Sequence, residues 1–419
     1  MRLAKPFDVS KQLVWQAYKL VKRNGGGPGV DEQSLLKFEE NLSNNLYKIW
    51  NRMASGSYFP PPVKAVEIPK KSGGTRVLGI PTVSDRIAQM VVKLKLEPKV
   101  EPYFYEDSYG YRPGKSAHQA IDVTRRRCWR YDWVFEFDIR GLFDNIDHAL
   151  LMKAVRQHTD CKWTILYIQR WLTAPMQMQD GELKARDTGT PQGGVISPLL
   201  ANLFLHYAFD RWITKQFPEA PFCRYADDGL VHCRSLKQAQ QMRNDIGQRF
   251  KCCGLELHPE KSKIVYCKDS NRRGEYEHIQ FDFLGYTFRP RRAKNRVGKV
   301  FENFSPAMSN KAAQAIRQVV RRWKLQFQND KSLEYLAAKY GAQIRGWLNY
   351  YGKFYRSTLY KFADHIDMAL AKWVMRKYKK LKGKSRRAKQ VIGKIAEMQP
   401  NLFPHWRYNQ AAGQMMGAQ

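Results

Sequence analysis

Two adjacent carboxylates set between two short β-prone runs, in Phe222-Cys223-Arg224-Tyr225-Ala226-Asp227-Asp228-Gly229-Leu230-Val231-His232-Cys233, constrain this chain more than any other feature. Asp-Gly between such runs predicts a tight β-hairpin with both aspartates at its tip. Neighbouring aspartates at a turn raise each other's pKa unless a cation sits between them, so the pattern points to a divalent metal. A solvated Asp-Asp-Gly turn is the plainer reading of the dipeptide alone. A third carboxylate shifts that balance. Trp133-Val134-Phe135-Glu136-Phe137-Asp138-Ile139 reads as a strand with Trp133, Phe135 and Phe137 on one face and Val134, Glu136 and Asp138 on the other. Beside the hairpin it would bring Asp138 to Asp227, with Asp228 close by. Such a set supplies the bridging oxygens of a two-magnesium site for in-line phosphoryl or nucleotidyl transfer.

These segments belong to a longer series. Phe137-Asp138-Ile139-Arg140-Gly141-Leu142-Phe143-Asp144-Asn145-Ile146-Asp147, then Thr190-Pro191-Gln192-Gly193-Gly194-Val195-Ile196-Ser197-Pro198, then Tyr225-Ala226-Asp227-Asp228 come in the order and rough spacing of reverse transcriptases. Adding Gly27-Pro28-Gly29-Val30-Asp31, Glu67-Ile68-Pro69-Lys70 through Gly79-Ile80-Pro81, Gly110-Tyr111-Arg112-Pro113-Gly114 and Phe283-Leu284-Gly285-Tyr286, the chain resembles the reverse transcriptase-maturases of bacterial group II introns over nearly its whole length. The resemblance implies an α+β, right-hand polymerase: fingers in residues 1–100, a palm with an antiparallel sheet and the catalytic carboxylates in 101–290, an α-helical basic thumb and maturase domain (domain X) in 291–400, and a tail in 401–419. It implies an RNA-directed DNA polymerase that also binds intron RNA and assists splicing, supporting retrohoming.

Residue by residue, the resemblance makes Asp138, Ile139, Asp227 and Asp228 the holders of two Mg2+ ions, with Mn2+ able to substitute. It puts Lys70 and Arg76 on the nucleotide triphosphate, Gln192 on the nucleotide or template pair, Phe143 against the 2′ position of the sugar, and Lys261 near the leaving pyrophosphate as proton donor. Arg112 would contact template phosphate, and Phe283, Leu284, Gly285 and Tyr286 would grip the primer end. Each has a bland counterpart: an exposed basic hairpin, a turn feeding a helix that Ser197 caps, a core phenylalanine, a surface lysine, a packing strand. Gly114-Lys115-Ser116 imitates the end of a phosphate-binding P-loop, but Gly110 stands one residue too close and no apolar strand leads in.

Composition bears on the partner. Lys and Arg total 72 against 38 Asp and Glu, a formal net charge of +34, which calls for a polyanion. From Arg291 to Pro400 the count is 27 basic against 6 acidic residues, with Leu333, Leu336, Tyr340, Ile344, Trp347, Leu348 and Tyr351 at helical spacing. That reads as a basic helical domain in which Trp347 and Tyr351 pack, and Arg376, Lys377, Lys379 and Lys380 meet phosphate rather than forming only a solvated face. The partners expected are an intron RNA template, an RNA/DNA primer-template duplex and deoxynucleoside triphosphates, with monomer and dimer both open. No apolar run suits a signal peptide or a bilayer span, and the seven cysteines include no Cys-x-x-Cys pair, so a cytoplasmic protein with reduced thiols, no membrane partner and no zinc-dependent endonuclease is expected. Two rivals remain at this level: a domesticated relative in phage defence or DNA repair, and an RNA-binding splicing factor that does not polymerise.

Overall fold

Period-two alternation of apolar residues produces the strands that carry the site. The computed structural model describes residues 5–69, 74–295 and 297–407, so Lys70 lies outside the described residues. Contacts divide the chain into two units, Met1–Ala120 with Val134–Ile264, and Ile121–Trp133 with Val265–Gln419.

The first unit holds β1 (Val63–Pro69), β2 (Thr75–Ile80), all but the first residue of β3 (Trp133–Asp138), β4 (Met176–Gln177), β5 (Leu183–Lys184), β6 (Phe222–Tyr225), β7 (Asp228–Cys233) and the first half of β8 (Lys263–Tyr266). One sheet runs β2-β1-β4-β5 and the other β6-β7-β3-β8, so β3 lies directly beside β7. The odd face of β3 is apolar, as its alternation predicts. Phe137 sits with its ring centroid 5.1 Å from Phe209 and 5.8 Å from Phe250. Behind the first sheet, the helix Val83–Val100 starts on a Thr82 hydroxyl that accepts from Asp85 N. Asp85 is buried and collects three donors: Tyr58 Oη at 2.9 Å, Trp171 Nε1 at 2.7 Å and Gln89 Nε2 at 3.0 Å. Burial nonetheless pushes its carboxyl up to about 6.

The second unit contains β9 (Phe281–Phe283), β10 (Tyr286–Lys294) and β11 (Val300–Met308), ordered β11-β10-β9. Four long helices follow, Asn310–Arg322, Leu333–Tyr351, Thr358–Lys377 and Ser385–Met398. The helical region thus begins at Asn310, not at Arg291. β10 and β11 pair as long antiparallel strands, which a count of basic residues from Arg291 onward is blind to. In the helical core Trp323 stacks on Tyr340 at 4.3 Å and on Trp347 at 5.8 Å, around the fully buried Leu336, Ile344 and Ile366. Trp347 and Tyr351 are therefore packing residues. Among the described residues no helix is long and apolar enough to cross a membrane.

Candidate active site

The metal hairpin differs from its sequence reading by two residues. Tyr225 pairs with Asp228 and Arg224 with Gly229, so the tight turn is Ala226-Asp227, and Asp228 opens β7. Ala226, not Gly229, takes the left-handed backbone, at φ 57°. Gly229 is needed for a different reason: a Cβ there would stand 2.1 Å from the Phe137 ring on the neighbouring strand. The dipeptide Asp-Gly signalled the right element and the wrong turn.

A buried ion pair anchors this turn, and sequence reasoning overlooked it. Arg224 is fully buried in β6 and uses its whole guanidinium: Nε and Nη2 donate to the two carboxylate oxygens of Asp210 at 2.7 and 2.6 Å, Nη2 also to Ser108 Oγ at 2.8 Å, and Nη1 to Asn202 Oδ1 at 3.0 Å and Ala226 O at 3.1 Å. Asp210 ends a π-helical turn, His206–Asp210, that follows the helix Ser197–Leu205. The available signal was an arginine inside the apolar run Phe222-Cys223-Tyr225, which in a buried strand demands a partner. Ser197 does not cap its helix; its hydroxyl bonds Thr190 Oγ1 at 2.8 Å, and Ile196 stands at the cap.

The same frame gives Arg112 partners within the chain. The segment before them lies along β6, with Tyr109 N donating to Arg224 O and Arg224 N to Asp107 O, and Asn202 Nδ2 donates to Gly110 O at 2.7 Å. Arg112 then turns inward. Its Nε and Nη2 donate to Glu101 Oε1, and its Nη1 to the carbonyls of Tyr105 and Ser108 at 2.6 and 2.7 Å. A guanidinium so committed is a brace for the chain, not a ligand for template phosphate, and its partners come from residues the motif does not include. Tyr111 faces out, 57% exposed, with the same left-handed strain as Ala226 at φ 58°. Its phenol is raised above its ordinary pKa, first by partial burial and next by the Asp227 carboxylate, while Arg76 acts in the opposite sense.

Asp138 closes β3 beside this hairpin. Its carbonyl accepts from His258 N, and Arg140 N donates to Glu256 O, so Ile139 forms an antiparallel bridge with Leu257. In that pattern the backbone groups of Ile139 itself turn to the opposite side, toward β7. The segment also delivers Lys261, whose Nζ lies 2.9 Å from Asp138 Oδ2. Burial first, and then the neighbouring carboxylates of Asp227 and Asp138, push Asp228 up to about 7. Asp227 is raised as well, by burial and then by Asp138, against the lowering influence of Lys261 and Arg224.

Among the described residues no three His, Cys, Asp or Glu side chains form a ready-made metal cage. The donor set still fits a hard divalent ion. Magnesium characteristically takes one or two carboxylates and completes its shell with water and substrate phosphates. Two half-buried, neighbouring aspartates are the counterpart of such an ion. Without metal they reduce stability: the folded pKa of Asp228 exceeds the unfolded one, so its contribution falls as pH rises from about 4 through 7. Replacing Asp227 and Asp228 by Asn should stabilise the metal-free protein by an amount that grows between pH 5 and pH 8, to about 2–4 kcal/mol. Urea unfolding at the two pH values reads this directly, and a gain independent of pH would contradict it.

Around the carboxylates, Gln192 is half-buried and its carbonyl accepts from Gly79 N at 2.7 Å. Gln89, held by Asp85, accepts from Val195 N at 2.7 Å, which pins the far side of the glycine turn. The Gln192 amide makes no hydrogen bond among the described residues. Phe143 is half-buried and its carbonyl accepts from Thr190 N, so this ring and the glycine turn are fixed to each other. Arg76 is exposed on β2, opposite Ile68.

In the second unit, Phe283 and Tyr286 pair across a turn whose two residues, Leu284 and Gly285, both have positive φ. Both aromatic side chains are buried, whereas Leu284 and Gly285 at the turn are half-buried. Tyr350 Oη donates to Leu284 O at 2.7 Å, and a Cβ on Gly285 would stand 3.0 Å from the Tyr351 hydroxyl. Of the basic residues singled out, Arg376, Lys379 and Lys380 are exposed. Lys377 is not displayed in the same way: its Nζ donates to the carbonyls of Asn329 and Lys331 at 3.1 and 2.7 Å.

Residues 68–288 match the reverse transcriptase (RNA-dependent DNA polymerase) family, and residues 313–392 match the group II intron maturase-specific domain. Protein YkfC of Escherichia coli (strain K12) is 32% identical over 313 residues, covering 65% of this chain and 78% of that protein. The group II intron-encoded protein LtrA of Lactococcus lactis subsp. cremoris is 29% identical over 428 residues, covering 81% of this chain and 68% of that protein. Among solved structures, a telomerase from Candida albicans aligns loosely, with a TM-score of 0.45 and 15% identity over 88% of this chain and 67% of that one.

Proposed function

This chain belongs to the reverse transcriptase (RNA-dependent DNA polymerase) family and carries a group II intron maturase-specific domain, and on that premise we propose how its residues divide DNA synthesis from RNA binding. Asp138, Asp227, Asp228 and the Ile139 carbonyl hold two magnesium ions, with manganese able to substitute. Bound there, the ions would supply Lewis-acid stabilisation of the charge that develops at the reacting phosphate. The observation that carries this reading is the carboxylate cluster, in which Asp227 is raised by burial and by Asp138, Asp228 is raised by burial and then by Asp227 and Asp138, and Lys261 stands on Asp138 as a counter-charge.

The surrounding residues orient the deoxynucleoside triphosphate. Arg76, with Lys70, binds the triphosphate; Gln192 presents its unengaged amide to the nucleotide; Phe143 occupies the space a 2′-hydroxyl would need. Lys261 lies on Asp138 and would hold a proton for the leaving pyrophosphate. Tyr111 lines the approach to Asp227. The discriminating experiment is single-nucleotide extension on an RNA template with matched ribo- and deoxynucleotides. Phe143→Ala should raise ribonucleotide incorporation at least about tenfold relative to deoxynucleotide, roughly the discrimination of one well-fitted contact. Equal loss of both substrates would mark Phe143 as a packing residue only.

The helical unit binds the intron RNA and assists its splicing, and with the polymerase supports retrohoming. Neutralising Arg376, Lys379 and Lys380 should weaken intron RNA binding and reduce the slope of log K against log salt by about 0.7–0.9 per lost phosphate contact. Adding Lys377→Gln should change the slope less than any of the three, because its ammonium is held by two carbonyls. An unchanged slope in the triple variant would leave these residues as a solvated face.

A further inference from the structure

The second unit contains a cavity of about 640 Å³ that the polymerase residues do not use. Five cations line it, Arg289, Arg291, Lys311, Arg317 and Lys361, against one carboxylate, Asp282. That carboxylate is already balanced, by Lys311 at 3.9 Å and by a hydrogen bond from the Thr287 hydroxyl. Four of the cations, all but Arg291, are exposed, and of these Lys311 is the one paired with Asp282. Arg291 is fixed: Nε donates to Ser305 O and Nη2 to Thr287 O, both at 3.1 Å, and its guanidinium lies 5.3 Å from the Tyr355 ring. Burial, and next the adjacent Arg289, lower Arg291 to about 10, the sign of an uncompensated positive site.

Two long helices begin at this cavity. Asn310 and Lys311 open the first and line the wall, and Ser357, Thr358 and Lys361 open the second. The first is capped by the Ser309 hydroxyl, whereas Ser357 places no side chain on the N–H groups of the second. Converging helix starts and five cations around a concave space add up to one requirement, a compact multivalent anion.

We propose that this cavity binds a phosphate group, supplied by a single-stranded segment of the RNA partner. Phosphate recognition stands on the cavity alone; RNA as its source rests on the maturase reading above. A duplex presents its phosphates on a convex surface, whereas a kinked single strand can push one phosphate into a concavity and lay a base against Tyr355.

The test uses the full chain in EDTA, so that the carboxylate site offers no metal-bound route for phosphate. Sodium pyrophosphate is titrated by calorimetry, and an oligouridine of about a dozen nucleotides by fluorescence anisotropy across a salt series. Combined Arg289→Gln, Arg317→Gln and Lys361→Gln should weaken pyrophosphate binding at least about tenfold and reduce the RNA salt slope by about 0.7 per lost contact. Arg289→Lys with Arg317→Lys should retain both, and pyrophosphate should displace the oligouridine from wild type. All substituted positions are exposed, so folding should persist, checked by urea unfolding. Unchanged pyrophosphate binding in the triple variant would overturn the site. Weakened pyrophosphate binding with unaltered RNA binding would overturn RNA as the source and leave the maturase reading standing. A wild-type chain that binds pyrophosphate but no RNA would overturn the maturase reading and, with it, RNA as the source.

Discussion

Asp227→Asn with Asp228→Asn is expected to reduce DNA synthesis on an RNA template by about three orders of magnitude, ~4 kcal/mol of barrier, while intron RNA binding stays within about twofold of wild type. The substitutions remove up to two negative charges from the proposed metal site and nearly preserve shape. The hairpin that carries them is held by the Tyr225 to Asp228 pairing and by the Arg224 network, neither of which uses the aspartate carboxylates. The basic residues proposed to meet RNA stand on other elements, the exposed Arg376, Lys379 and Lys380 among them. Primer extension and splicing of the intron at low magnesium, measured on one preparation, separate the two activities. Surviving DNA synthesis would sink the assignment of the metal ligands; loss of RNA binding from a well-folded variant would sink the separation of the two tasks.

The largest effect on stability should come from the buried pair beneath that hairpin. Asp210→Ala leaves a fully buried guanidinium without its bidentate partner, and Arg224→Met leaves the reciprocal carboxylate; each should cost about 3–5 kcal/mol. Replacing both, Arg224→Met with Asp210→Leu, should recover much of that loss, because two apolar side chains no longer need solvating. Recovery will be incomplete, since Ser108, Asn202 and the Ala226 carbonyl each lose a donor. A urea-unfolding double-mutant cycle measures the coupling, and single variants within about 1 kcal/mol of wild type would contradict it. Where the double variant folds, primer extension should still be impaired, because Ala226 is then held in its left-handed backbone without the Arg224 contact.

How legible these features were depends on how local their causes are. The strand Trp133–Asp138 was readable because six residues carry their own alternation, and the helices after Asn310 because their apolar spacing repeats every turn. The hairpin of Asp227 and Asp228 was readable as an element, but its turn was displaced by Gly229, which is glycine on account of Phe137 in another strand. Arg112 and Tyr111 show the same limit most plainly. Neighbours in one motif, they face opposite ways, because Glu101 and two carbonyls outside the motif take the guanidinium.

The sequence alone determined which chemistry was possible: three aspartates on strand-forming segments, a glycine-flanked Gln192, a charge balance of +34 that requires a polyanion, and the motif order of the family. Those are properties of residue type and near-neighbour spacing, and they survive without coordinates. Only the tertiary structure decided which groups remain available for that chemistry. Arg112 was assigned to phosphate by the resemblance and Lys377 by composition, and both are held by the chain's own oxygen atoms, while Arg224, overlooked in the sequence, braces the site. A buried polar group must find its partner wherever the fold supplies one, and because such partners are separated by up to more than a hundred residues, as Arg224 is from Ser108, no local pattern announces them.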